Sequence, residues 1–207
     1  MSSDTHDPAP LRGGDVEDSD ARHARRDESS TEPAPGALRV AVVVGNPKPG
    51  SRTLAAAVHV ARELTGHEPD LVVDVAELGS RLLDRDDPEV GRLVADVGDA
   101  DLVVVASPTY KATYTGLLKL FLDRFAGGTG LTGVAIPLML GAGPTHALAP
   151  ELSLRPLLTE LGAVVPVRAL YVLDSRYDCP ESYDAWLAAA RPVLHTVLTP
   201  PLLEGVS

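Results

Sequence analysis

The stretch Leu38-Arg39-Val40-Ala41-Val42-Val43-Val44, which stops at Gly45-Asn46-Pro47, decides the fold. It is a short, continuous, β-branched apolar run and reads as a strand buried on both faces, as in parallel sheets. The residues that follow, Ser51 to Leu64, are Ala-rich and read as a helix, and the alternation then repeats. Leu71 to Val75, Asp101 to Ala106, Val134 to Leu140 and Pro166 to Leu173 are further apolar runs that read as strands. Glu89 to Asp99, Gly116 to Phe125, Ala147 to Leu161 and Ser182 to Leu198 read as helices. Strands alternating with helices, without hairpin signals, predict an α/β fold: a doubly wound, five-stranded parallel sheet covered on both faces through right-handed crossovers. Ligands of such sheets lie beyond the carboxyl ends of the strands, where the winding reverses. The loops after Val44, Ala106 and Leu140 are therefore the places to look for function.

Composition narrows the function classes. A chain of 207 residues accommodates one domain plus tails. Residues 1–36 hold nine acidic and four basic residues and little to bury, and read as a disordered acidic tail. The domain is expected over 37–198 and a short C-terminal tail over 199–207. The formal charge is -11, of which the N-terminal tail carries -5, so the rest is acidic at -6. That sign repels nucleic acid and anionic membrane surfaces. Aromatic residues at 4% also leave little surface for stacking bases. Neither nucleic acid nor membrane is expected as a partner, and an anionic ligand needs a local cluster of donors. One cysteine, Cys179, and no signal-peptide pattern point to the cytoplasm.

The first loop, Gly45-Asn46-Pro47-Lys48-Pro49-Gly50-Ser51-Arg52-Thr53, superficially matches the nucleotide-binding G-x-x-x-x-G-K-[ST] pattern. It fails where that pattern needs Lys and then Ser or Thr to reach terminal phosphates and Mg²⁺, because Ser51 and Arg52 stand there. G-x-G-x-x-G fails as well, since Pro47 occupies the second glycine's place. What remains is a pair of hydroxyls (Ser51, Thr53), two cations (Lys48, Arg52) and the free amides of a helix N-terminus, an anion cradle suited to a phosphate monoester without metal. Read alone, Ser51 serves equally as a helix cap.

The loop after the third strand, Ser107-Pro108-Thr109-Tyr110-Lys111-Ala112-Thr113-Tyr114-Thr115-Gly116, offers main-chain polar groups, two tyrosines and a lysine that could border a flat heterocycle. With the first loop and with Gly141-Ala142-Gly143-Pro144-Thr145-His146, it resembles the NADPH-dependent FMN reductase family, and most of all the two-component branch that supplies reduced FMN to alkanesulfonate monooxygenases. The resemblance runs from about Leu38 to Asp174. It implies a flavodoxin-like fold with strand order 2-1-3-4-5 and a homodimer or homotetramer. It also implies FMN and NADPH or NADH as the bound nucleotides, and a partner monooxygenase. Carried over by position, Asn46, Pro47, Lys48, Ser51, Arg52 and Thr53 hold the FMN phosphate. Pro108, Thr109, Tyr110 and Lys111 line the ribityl chain and ring edge, and Gly141, Gly143 and His146 approach the ring. The chain departs from many members in having Asn46 for Ser and Lys48 for Arg.

In the two-component branch a Tyr at the place of Tyr114 is an insertion that widens the following helix by a π-type bulge. The alternative is that Tyr114 belongs to an apolar helical face with Leu117, Leu118, Phe121 and Phe125. No catalytic side chain is expected, since hydride transfer between stacked rings needs position more than acid or base. Tyr114 and Lys111 are the candidates for shaping the flavin face. The chain's six histidines show no metal-ligand spacing and Cys179 reads as an inert thiol. Asp123 and Arg124 read as a solvated helix end, and Arg155 pairs either with an acid or with the 2'-phosphate of NADPH. Competing readings of the whole are an FMN-retaining quinone or azo reductase and a flavodoxin-like electron carrier.

Overall fold

The computed structural model describes residues 38–199, so the expected N-terminal tail, 1–36, lies outside the described residues, as does the C-terminal one, 199–207, apart from Thr199. Strands β1 (Val40–Val44), β2 (Leu71–Asp74), β3 (Leu102–Pro108), β4 (Val134–Gly141) and β5 (Leu170–Leu173) form one parallel sheet in the order β2-β1-β3-β4-β5. The sheet, its parallel sense and the expected order agree with the sequence reading. Helices α1 (Arg52–Thr65) and α5 (Asp184–Leu198) cover one face. The other is covered by α2 (Pro88–Gly98), α3 (Gly116–Leu122), α4 (Arg155–Glu160) and a 3-10 segment over Val75–Leu83 that is broken at Gly79. Period-2 alternation separates the two cores: Val40, Val42 and Val44 face α1 and α5, while Ala41 and Val43 face α3 and the 3-10 segment.

Three elements depart from expectation, and proline explains one of them. The stretch read as one helix over Ala147 to Leu161 is a π turn at Pro150–Leu154 followed by α4. Pro150 has no N–H and its ring crowds the carbonyl four residues back, so a regular helix cannot run through it. The Arg155 N–H reaches back five residues to the Pro150 carbonyl, and Pro156 then asks for no acceptor.

Strand β5 begins at Leu170 and not at Pro166, because side chains replace the ladder over the preceding residues. Arg155 donates to the Val167 carbonyl at 2.7 Å and the Val165 carbonyl at 2.5 Å, and Glu151 accepts from the Ala169 N–H at 2.8 Å. Arg155 also pairs with Glu151 at 3.3 Å, the acid-paired reading of this residue.

Helix α3 stops at Leu122, capped by Asp123, and holds no π bulge. Tyr114 stands ahead of its N-cap Thr115, so it is neither in a widened turn nor on the helical face. Arg124 is not a free solvated end, since it donates to the carbonyls of Asp84 and Arg85 and ties α3 to the chain ahead of α2.

Two packing constraints are testable. The side of Gly45 on which a side chain would stand is filled: a Cβ there would lie 2.2 Å from the Leu118 Cβ and 2.6 Å from its Cα. Gly45→Ala therefore costs about 1 to 3 kcal/mol by overpacking, roughly 2 to 12 °C in Tm for a domain of this size, read by thermal denaturation. Tyr183, 1% exposed, donates to the Tyr177 carbonyl at 2.5 Å, and burial pushes its phenol up to about 12 from the ordinary 10.0. Between those values the folded chain keeps a proton that the unfolded chain has lost. Stability is thus intact below pH 10 and falls as pH rises toward 12. Tyr171 is raised in the same sense by burial, so Tyr183→Phe flattens this alkaline decline in part, as urea titrations at several pH values would show.

Candidate functional site

The loop after β1 is shaped by its own side chains. Asn46 accepts from the Lys48 N–H at 3.0 Å and donates to Thr53 Oγ1 at 3.0 Å, a turn locked onto the first residues of α1. Thr53 is 1% exposed, so both residues build the loop from beneath. Gly50 takes a φ of +59°, and its N–H is held by Asp74 Oδ2 at 2.9 Å. Asp74, 7% exposed at the end of β2, also accepts from the Ala76 N–H. Ser51 is the N-cap of α1, its oxygen accepting from the Leu54 N–H at 3.3 Å while its proton stays free to donate. The first turn of α1 carries no acid, and the N–H groups of Arg52 and Thr53 have no helical acceptor.

Beside this turn is a cleft of about 380 Å³ whose walls include Asn46, Lys48, Ser51, Arg52, Tyr110, Asp174 and Tyr177. The tertiary structure thus brings five of the expected residues together and adds two from the chain after β5. Arg52 Nη1 lies 2.6 Å from Asp174 Oδ2, and its guanidinium sits 5.6 Å from the centroid of the Tyr177 ring. No reading of the first three loops pointed to Asp174 or Tyr177. They follow the edge strand β5, and reach Arg52 because α1 and α5 share a face of the sheet. Pro47 lies exposed on the loop.

Strand β3 continues through Pro108, and the Thr109 N–H bonds to the Leu140 carbonyl at 2.6 Å. Tyr110 and Thr113 exchange main-chain hydrogen bonds at 2.9 and 3.2 Å around Lys111 (φ +54°) and Ala112 (φ +67°). Two successive left-handed residues make a type I' turn. Neither is a glycine, so each carries strain of the kind that clusters at binding sites. The turn projects Lys111 into solvent and leaves the Tyr110 ring 53% exposed on the cleft. The Thr109 hydroxyl is covered by protein yet has no hydrogen-bond partner. Tyr114 is half-buried against the core and does not line the cleft.

On the third loop, the missing side chain of Gly141 makes room for Tyr171, whose hydroxyl would lie 2.0 Å from a Cβ there and donates to the Gly143 carbonyl at 2.5 Å. Gly143 faces open space, and His146 is exposed in a short 3-10 turn. These three residues stand apart from the phosphate-sized cleft. Among the described residues, no group of three or more His, Cys, Asp or Glu is placed to hold a metal ion, and no helix is long and apolar enough to cross a membrane.

The donor set fits the phosphate of FMN. One cap hydroxyl, two cations and unpaired amides of a 14-residue helix meet in a cleft large enough for a phosphoribityl group, with an aromatic ring on its rim. The comparisons with known proteins agree. The family model described as NADPH-dependent FMN reductase matches residues 38–178. An FMN reductase (NADPH) of Escherichia coli (strain K12) is 27% identical over 143 residues, covering 67% of this chain and 75% of that protein. An NADH-dependent FMN reductase, SfnF, of Pseudomonas putida is 33% identical over 150 residues, covering 68% and 80%. The apo form of an NADH:FMN oxidoreductase (EMOB) superposes with a TM-score of 0.70 at 26% identity, covering 81% of this chain and 92% of that one. The matched span, together with the sheet order, means that this chain belongs to the NADPH-dependent FMN reductase family.

Proposed function

We propose that this NAD(P)H:FMN oxidoreductase takes flavin as a dissociable substrate and hands reduced FMN to a partner monooxygenase in the cytoplasm. The observation that carries the reading is the openness of the phosphate cleft: the Arg52 side chain is 58% exposed and Tyr110 53% exposed. Few contacts there are shielded from water, and exposed charged contacts hold weakly.

In this reading Ser51 donates its hydroxyl proton to the phosphate, the first-turn amides of α1 point at it, and Lys48 and Arg52 supply charge. Asn46 and Thr53 keep the loop in the shape that presents those donors, and Gly50 makes the turn. The rigid Tyr110–Thr113 turn fixes the Tyr110 ring at the rim, while Pro108, Thr109 and Lys111 border the ribityl chain and ring edge. Gly143 leaves open space for the ring, with Gly141, His146 and Tyr114 nearby as supports of that face. Bound FMN would supply the chemistry, accepting a hydride from the nicotinamide. The titratable side chains lining the cleft are Lys48, the Arg52–Asp174 pair and the phenols of Tyr110 and Tyr177. Self-association as a dimer or tetramer through α3 is part of the proposal, supported by Leu120 (43% exposed) on α3 and Leu83 (71% exposed) on the segment that packs against it.

Two measurements test this. Purified protein should oxidise NADPH or NADH rapidly only when free FMN is added. A yellow protein inert to both nucleotides would establish an electron carrier instead, and turnover of quinone without added flavin an FMN-retaining reductase. Arg52→Ala should weaken FMN binding by about 0.5 to 1 kcal/mol, the upper part of the range for an exposed charge contact. An unchanged dissociation constant by isothermal titration would remove Arg52 from the site.

A further inference from the structure

Asp174 is a carboxylate inside an anion cleft. It follows β5 directly, lines the same cavity as Lys48 and Arg52, and places Oδ2 2.6 Å from Arg52 Nη1. The pair is well placed to exchange partners, since the two side chains are 58% and 42% exposed and, among the described residues, neither is held by a second ion pair. The cleft's charged walls are two cations and this one anion. A phosphate monoester carries about -1.5 to -2 charges at neutral pH. With Asp174 in place the walls offer one net positive charge, too little to balance it, and a second carboxylate, Asp74, already occupies the Gly50 N–H.

We infer that Asp174 is a specificity-determining residue that competes with the flavin phosphate for Arg52, so that the phosphate adds little net affinity and flavin leaves readily. This rests on the FMN reading of the cleft. Binding becomes an exchange: the guanidinium turns from Asp174 to the phosphate and returns to it on release, with the Tyr177 ring 5.6 Å away as a surface that supports it in both positions. Discrimination between FMN and riboflavin, which differ only in that phosphate, is correspondingly small.

The test is a set of dissociation constants for FMN and riboflavin, by titration of the full chain with each. The wild-type protein should bind FMN less than about tenfold more tightly than riboflavin, since an exposed charge contact is worth at most about one such factor. Asp174→Asn should tighten FMN roughly three- to tenfold while moving riboflavin by less than twofold. Combined with Arg52→Ala, the gain from Asp174→Asn should shrink to less than half of its logarithm, because the carboxylate acts through the guanidinium. A wild-type preference for FMN above about a hundredfold, an Asp174→Asn effect that is absent, reversed or equal for both flavins, or a gain undiminished without Arg52 would each overturn the inference and leave the FMN reading standing. The wild-type ratio needs no variant to fold. Binding of neither flavin by the wild-type chain would overturn the FMN reading and the role of Asp174 together.

Discussion

The side chain of Thr115 joins the two loops on which the site is built. Its hydroxyl donates to the Gly45 carbonyl at 2.5 Å and accepts from the Leu118 N–H at 3.1 Å, while its own N–H bonds to Ser107 Oγ at 3.0 Å. Thr115 is 4% exposed and Ser107 wholly buried, so these bonds form away from water, where an unmade one leaves a costly orphan. One residue thereby caps α3, ends β1 and steers the chain leaving β3. Gly45 completes the junction by letting β1 approach α3 closer than any side chain would allow. The anion cradle and the strained Tyr110–Thr113 turn are presented at fixed positions because of this buried knot.

Around that junction, an acidic protein holds a small cationic site. The rest of the chain beyond its N-terminal stretch carries -6, and two carboxylates, Asp74 and Asp174, reach into or under the cradle itself. The proposed attraction for phosphate is therefore local and short-ranged, made of first-turn amides, one hydroxyl and two exposed cations. An exposed cleft of this kind suits the proposed release of flavin to another enzyme.

Much of the site was legible because its residues are contiguous. Ser51, Arg52 and their neighbours lie in one loop between a strand and a helix, and the role of a helix N-terminus follows from local geometry. Tyr110 was legible by resemblance. Arg155 was ambiguous in sequence because an arginine has no marker for its partner, and only folding brought the carbonyls of Val165 and Val167 within its reach. Asp174 gave no signal at all: it lies 122 residues from Arg52, and an aspartate after a strand is unremarkable until the partner is known. The expected bulge after Tyr114 failed for a local reason, since Thr115 caps a regular helix, and π geometry is found instead at Pro150–Leu154.

Short continuous apolar runs and the Ala-rich stretch after the first of them determined the parallel α/β sheet, because burial on both faces leaves a continuous hydrophobic signature that needs no knowledge of neighbours. Hydroxyls and cations just beyond the first strand likewise marked that loop as a candidate anion site. Which carboxylates enter that cleft, where β5 begins, and how Gly45 and Gly141 are used were decided only by tertiary structure. Those features depend on distances between residues far apart in the chain, and such distances exist only once the sheet has closed its two cores.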